Sequence, residues 1–262
     1  MSVSAARKPG FFSRLANPTR FMGLSAAMLP WLWVIAAIVT LGGLVWAFNA
    51  PQDYQQGETV RIMYIHVPAA WLSMFVYAVM TASALGVLIW RHPLADVSVR
   101  AAAPIGAAFT LICLITGSLW GRPMWGTWWV WDARLTSVFV LMLMYLGIVA
   151  LQRAMEDPAR AARPVAILVL VGSVNIPIIK FSVDLWNTLH QPASVIRLDG
   201  PTIHASMLWP LLVTAAGFMV LFFAMHMLAM RNEIRRRRAA ALRRAGARGA
   251  ASAPATAVLE QG

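Results

Sequence analysis

The chain has 262 residues, of which 60% are hydrophobic and 12% charged, and its mean hydropathy is +0.66. Soluble domains carry about 25% charged residues, so an ordinary soluble domain is excluded and an all-α polytopic membrane protein is expected. The net charge of +12 comes largely from an arginine-rich C-terminal stretch and says little about activity.

A bilayer core about 30 Å thick needs roughly 20 apolar residues as a helix. Six runs supply that length in chain order: Leu29 to Phe48, Val67 to Trp90, Ala101 to Leu119, Leu135 to Leu151, Pro164 to Phe181 and Ile203 to Met230. Residues 1–28 form a cytoplasmic N-terminal segment in which FFSRLANPTRFMGL is expected as a short interfacial helix. The first span is too long for a signal h-region and is expected to act as a signal anchor. Residues 29–230 make one six-helix membrane domain, followed by a basic, partly disordered tail over 231–262. The tail is read as a topogenic anchor resting on anionic lipid, and its lack of aromatic residues argues against nucleic-acid binding.

Lys and Arg orient the chain, because basic connections stay in the cytoplasm. With the N-terminus inside, the inner segments hold 17 of the 22 basic residues, leaving Arg61, Arg122, Arg134, Lys180 and Arg197 outside. Both termini are therefore expected in the cytoplasm. Within the spans, Asn175 with Pro177 suggests a broken helix, Lys180 is expected to snorkel, and Pro104 and Pro210 read as kinks. The small residues Ala82, Ala84 and Gly86 are expected to permit close helix contact. The single cysteine, Cys113, lies inside the third span, and neither CxxC nor CxxCH is present, so this chain neither exchanges thiols nor carries c-type haem itself.

The interest lies in the three outer connections. The second, Trp120 to Arg134, contains WGRPMWGTWWVWD, five tryptophans in thirteen positions. A membrane-interface belt accounts for scattered Trp31, Trp33, Trp46, Trp90 and Trp209, but poorly for this run. As a helix it would group Trp120, Trp128 and Trp131 on one face and Trp125 with Trp129 on another. Gly121, Pro123 and Gly126 break its first half, so a loop or short helix lying flat on the membrane is expected. Indole stacks on flat apolar ligands and offers one N–H, while Arg122 and Arg134 suit carboxylates. Asp132 either orients an arginine or caps the fourth span.

Histidines narrow the ligand. His92 and His226 fall near the cytoplasmic ends of their spans and read as interface residues. His66 in YIHVPAAW, His190 in WNTLHQP and His204 in TIHASMLWP share the outer face with the tryptophans. Imidazoles beside an indole platform and arginines describe a haem site, with a zinc site as the rival. Zinc would want a tight cluster, and Asp53, Glu58, Asp132, Asp184 and Asp199 lack metal-ligand spacing. A membrane glycosyltransferase would need acidic residues on large outer loops, and a b-type electron-transfer cytochrome would pair histidines within facing spans.

WGRPMWGTWWVWDARLT resembles the tryptophan-rich WWD signature of the haem-handling proteins of cytochrome c maturation. With the three histidine segments it closely resembles the CcmC family, from about Pro30 to Met230 including the six-span plan. The resemblance implies that His66 and His190 are external axial ligands of the haem iron. It implies that Trp120, Trp125, Trp128, Trp129, Trp131 and Asp132 belong to a platform presenting haem b to the haem chaperone CcmE. It further implies a place in the bacterial inner membrane with the haem site facing the periplasm, beside CcmD and the ABC-type pair CcmA and CcmB, whose ATP hydrolysis releases the loaded chaperone. Such a chain is a transfer subunit more than an enzyme. Arg61, Arg122, Arg134 and Arg197 are candidate propionate contacts, and the family lends His204 no role. The long tail from Arg231 departs from compact family members.

Overall fold

The computed structural model describes residues 17–251. Its helices are α1 (Pro18–Phe48), α2 (Met63–Trp90), α3 (Pro93–Trp125), α4 (Ala133–Ala154), α5 (Pro158–Ser173), α6 (Asn175–Leu185) and α7 (Ala205–Ala251), with a 3₁₀ turn over Glu58–Ile62 leading into α2. Six segments of the described residues are long and apolar enough to cross a membrane, counting the 3₁₀ turn with α2 and α5 with α6. The all-α, six-span expectation holds, and the chain is a multi-pass membrane protein. Successive spans alternate in direction. Connections 49–57, 126–132 and 186–204 therefore lie at one end, the tryptophan end, and 91–92 and 155–157 at the other, the arginine end.

Local chemistry sets the helix limits. The Asn17 side chain accepts from the Thr19 and Arg20 N–H groups, and Pro18 takes the first helical position. Pro18 to Leu24 are thus the first turns of α1 rather than a separate interfacial helix, and Phe11 to Ala16 of that expected helix lie outside the described residues. α3 ends where Gly126 takes φ 75°, a left-handed value suited to glycine. The helix therefore includes Gly121 and Pro123, which were expected to break it. Pro123 only removes the bond to the Leu119 carbonyl, and Gly121 is covered by the Trp125 ring, 2.9 Å from where a Cβ would stand.

The fifth span is interrupted at Val174, as the Asn175 and Pro177 pair suggested. Pro177 has no N–H for the Ser173 carbonyl, and buried Asn175 Nδ2 donates across to the Ser137 carbonyl of α4 at 2.8 Å. Lys180 is exposed. Over the first part of the basic tail, α7 continues as one helix through Ala251. Ala, Arg and Leu are good helix formers, and Glu233 pairs with Arg236 and Arg237 at i+3 and i+4. Residues 252–262 lie outside the described residues.

Small residues set the packing. α1 lies against α7 through reciprocal notches: a Cβ at Gly43 would stand 2.9 Å from the Thr214 backbone, and one at Gly217 would stand 2.7 Å from that of Thr40. Lipid contributes no hydrophobic drive between helices, so such close backbone approach supplies the contact. In α2 to α5 tyrosines fill glycine notches. Tyr145 covers Gly106 and donates to the Ser73 carbonyl at 2.7 Å, while Tyr77 fits against Gly172 and meets Tyr145 edge-on at 5.2 Å. Gly86 does approach α3 at Ala95, and Ala84 is buried, but Ala82 faces outward.

Candidate functional site

At the tryptophan end a second apolar cluster ties three helices together. Ala47 of α1, Met63 and Tyr64 of α2 and Met207 and Leu211 of α7 are buried there, with Trp120 of α3 packed against them. Asp53 Oδ1 accepts from the Gln55 and Gln56 N–H groups, which fixes the first connection. Gln56 Oε1 then accepts from Trp120 Nε1 at 2.9 Å. The first connection is thereby fastened to the end of α3, the element that both neighbouring histidines meet.

His66 sits one turn into α2 and turns toward α3. Its ring lies where a side chain at Gly117 would stand, 3.0 Å from that missing Cβ, and meets Trp120 edge-on at 5.7 Å. Nδ1 lies 3.1 Å from the Cys113 carbonyl and 3.0 Å from Thr116 Oγ1. The Thr116 hydroxyl proton is directed to the Ile112 carbonyl at 2.6 Å, so both neighbours of Nδ1 accept. Nδ1 must therefore carry the proton, which leaves the lone pair on Nε2.

His190, in the third outer connection, arrives at the same tautomer by a different route. Its Nδ1 lies 3.3 Å from Asp132 Oδ2, and that oxygen also accepts from Thr188 Oγ1 at 2.6 Å. Thr188 in turn accepts the His190 backbone N–H at 3.0 Å, closing a small ring of bonds. The other Asp132 oxygen caps α4 by accepting from the Leu135 N–H at 2.7 Å. Burial by itself would raise the Asp132 carboxyl. The bonds from Thr188, Leu135 and His190 outweigh it and hold the carboxyl below its ordinary value. Burial lowers the His190 imidazole below 6.5, with Asp132 opposing. A neutral His190 donating Nδ1–H to an ionised carboxylate is the arrangement that orients metal-binding imidazoles.

The two rings lie along one side of α3. Gly117, Trp120, Gly121 and Trp125 fall at i, i+3, i+4 and i+8, a single helix face. His66 covers Gly117, while His190 packs edge-on against Trp125 at 4.9 Å, the ring that itself covers Gly121. Gly117 and Gly121 are about 6 Å apart along the helix axis.

The remaining tryptophans separate from this pair. Trp129 and Trp131 meet each other at 5.5 Å and pack on Phe139 of α4. Trp128, with its carbonyl held by Ser118 Oγ at 2.7 Å, lies under the Arg122 guanidinium at 5.9 Å. Arg122 also donates to the Gly126 carbonyl. The run is therefore three groups rather than one wall, because α3 carries its first two indoles and an irregular stretch the rest.

The arginines differ in how they are held. Arg61 pairs with Glu58 at 2.7 Å, Arg197 pairs with Asp199 at 2.5 Å, and Arg134 ties α4 to α6 through Ser182 Oγ at 3.1 Å and the Ile179 carbonyl at 3.3 Å. His204 is exposed and caps α7, accepting the Ser206 N–H at 3.3 Å. His226, expected at an interface, is buried: it stacks on Phe222 at 5.4 Å and meets Ser98 Oγ at 3.1 Å. Among the described residues no group of three or more His, Cys, Asp or Glu is placed to hold a bare metal ion. Thr116, Thr188 and Gln56 were not singled out in the sequence. Thr188 alone carried a legible signal, a hydroxyl two residues before His190.

Fold and site together define a six-span membrane protein with two preset imidazoles beside tryptophans at one end of the bundle. Residues 11–245 match the family described as "Heme exporter protein C", CcmC. Proteins of that name are similar over most of their length. The one from Bradyrhizobium diazoefficiens is 64% identical across 87% of this chain and 87% of its own. That from Paracoccus denitrificans is 49% identical across 87% and 95%, and that from Escherichia coli strain K12 is 47% identical across 84% and 89%. The chain belongs to the CcmC family.

Proposed function

We propose that this chain is the haem-handling subunit of a cytochrome c maturation complex, holding haem b at the tryptophan end with His66 and His190 as axial ligands. One observation carries the reading. Both imidazoles have Nδ1 tied to acceptors, which leaves two Nε2 lone pairs beside the indoles of Trp120 and Trp125. The donor chemistry fits haem iron, since neutral imidazole is a common axial ligand and an apolar, stacking surround suits the macrocycle. Haem is cargo here, and the work of this chain is to bind, orient and release it.

In this reading Asp132 and Thr188 keep His190 in the ligating tautomer, and the Cys113 carbonyl with Thr116 does the same for His66. Trp128, Trp129 and Trp131 extend the platform, and Arg122 is the candidate for a propionate because it lies over the Trp128 ring and, among the described residues, pairs with no carboxylate. Arg61 and Arg134 would first have to leave Glu58 and α6. The tryptophan end faces the periplasm, as the distribution of basic residues favours. Haem passes from there to the chaperone CcmE, with CcmD and the ABC pair CcmA and CcmB as partners and ATP hydrolysis on another chain of the inner-membrane complex.

The test is an absorption spectrum of the purified protein beside His66→Ala, His190→Ala and His204→Ala. The first two changes are expected to remove the bis-imidazole haem signal while membrane insertion is retained, and the third is expected to leave it. Loss with His204→Ala alone overturns the ligand assignment.

A further inference from the structure

The arginine end holds charge that the proposed haem chemistry does not use. Between α3 and α7 lies a crevice of about 300 Å³ whose lining includes Arg100, Ala101, Pro104, Ala229, Glu233 and Arg236. A second space of about 210 Å³ shares Arg100, Pro104, Glu233 and Arg236 and adds Val149, Gln152 and Arg153. One buried carboxylate serves three guanidinium groups here. Glu233 meets Arg236 at 2.7 Å, Arg237 at 2.6 Å and Arg100 at 3.5 Å. Asp96 takes one more bond, from Arg237 at 2.7 Å. With Arg153 counted, positive charge exceeds negative around the crevice.

A buried donor points the same way. Gln152 is only 6% exposed, yet its Nε2 has no hydrogen-bond partner among the described residues. Its backbone carbonyl accepts from Arg100 at 3.1 Å, which brings that guanidinium beside it. An unpaired buried amide is unfavourable, and here it lines a space edged by arginines. The same space is apolar on its other side, at Pro104 and Val149.

We infer that this crevice binds the phosphate group of an anionic phospholipid, with Gln152 Nε2, Arg100, Arg153 and Arg236 as donors and the apolar wall of Ala101, Pro104, Val149 and Ala229 against the glycerol and acyl chain. The crevice lies where α4 ends and α7 leaves its apolar run, the depth of lipid headgroups on the basic side of a bilayer. A free phosphate would satisfy the same donors but leave the apolar wall without a partner, which favours the lipid.

The test uses the full-length chain in neutral detergent, titrated with phosphatidylglycerol, with phosphatidylcholine and with inorganic phosphate. Retention by native mass spectrometry and the unfolding midpoint are read together. Phosphatidylglycerol is expected to be retained and to raise the midpoint, and Arg153→Gln and Arg236→Gln are each expected to weaken it about fivefold. Gln152→Leu is expected to weaken it without any change of charge. The pair Arg243→Gln with Arg244→Gln, farther along α7, is expected to leave binding unchanged. If inorganic phosphate matches the lipid, the site stands and its source is soluble phosphate. Equal retention of phosphatidylcholine, or equal weakening by the Arg243 and Arg244 pair, overturns the site, since binding would then be general attraction to a basic surface.

Discussion

The two ends of this bundle handle buried polar groups in opposite ways. At the tryptophan end each polar atom that meets a histidine has a set direction, so that proton positions are fixed and two nitrogen lone pairs are left over. At the arginine end several cations share one carboxylate, and an amide donor has no acceptor among the described residues. One end leaves nitrogen lone pairs and the other leaves N–H donors. The same membrane fold thus carries two unlike polar clusters, distinguished by whether their hydrogen-bond networks close on acceptors or on donors.

The most severe way to break the contrast is at the arginine end. Glu233→Gln removes the carboxylate that faces Arg100, Arg236 and Arg237, and an uncompensated buried charge costs about 3 kcal/mol. A lowered unfolding midpoint with an unchanged haem spectrum is expected. A spectral change as large as that of His190→Ala would mean that the ends are not independent.

Next in size is Asp132→Asn. Asparagine still caps α4, so the helix is preserved, but its amide presents a donor as well as an acceptor to His190 Nδ1. Loss of such a supporting carboxylate lowers metal affinity by about 10- to 100-fold, measured here as haem retention during purification. The pH profile sharpens the same point. Burial holds His190 below 6.5, so the folded chain keeps the neutral imidazole where a free one would be half protonated. Haem retention is expected to persist through pH 6.5 and to fall only below it. The unfolded chain takes up the proton first, so the contribution of His190 to stability declines as pH drops in the same window. Retention that halves at 6.5 would show a solvent-like imidazole.

The sequence made the six spans legible because membrane helices must be long and apolar, and it marked His66 and His190 through the segments around them. It did not reveal the two tautomers, which depend on groups distant in sequence: Cys113 and Thr116 for His66, Asp132 for His190. Nor did glycine and proline counts find the end of α3, where the Trp125 ring covers Gly121 and keeps the helix intact. The α1–α7 notches at Gly43 and Gly217 were missed because each is visible only against a threonine on the other helix. The basic tail read as solvated charge, while its helix carries Glu233 paired with arginines three and four residues on.

A smaller effect tests whether the tryptophans act as a unit. Trp120→Phe keeps the ring against His66 but removes the bond from Nε1 to Gln56, a loss of about 1 kcal/mol. The first connection is expected to exchange its amide protons faster, and haem is expected to remain bound. Trp131→Phe, at a ring packed on Phe139, keeps an aromatic surface there and should change neither.

The smallest effect is expected at His204, and it separates membership of an end from membership of a site. His204 shares the tryptophan end with His66 and His190, but its Nδ1 is taken up locally, accepting from the Ser206 N–H and meeting Ser206 Oγ at 2.8 Å. A ring held by its own helix start has the role of a cap, and replacing it by alanine costs about 0.5 kcal/mol. The difference from His190 lies in the partner: a carboxylate on another element fixes His190 from outside, whereas His204 turns back on its own chain. His204→Ala is therefore expected to lower the unfolding midpoint slightly and leave the haem spectrum as it was. A spectral loss there would show that proximity to the tryptophans, and not the tautomer set by Asp132, makes a histidine at this end a ligand.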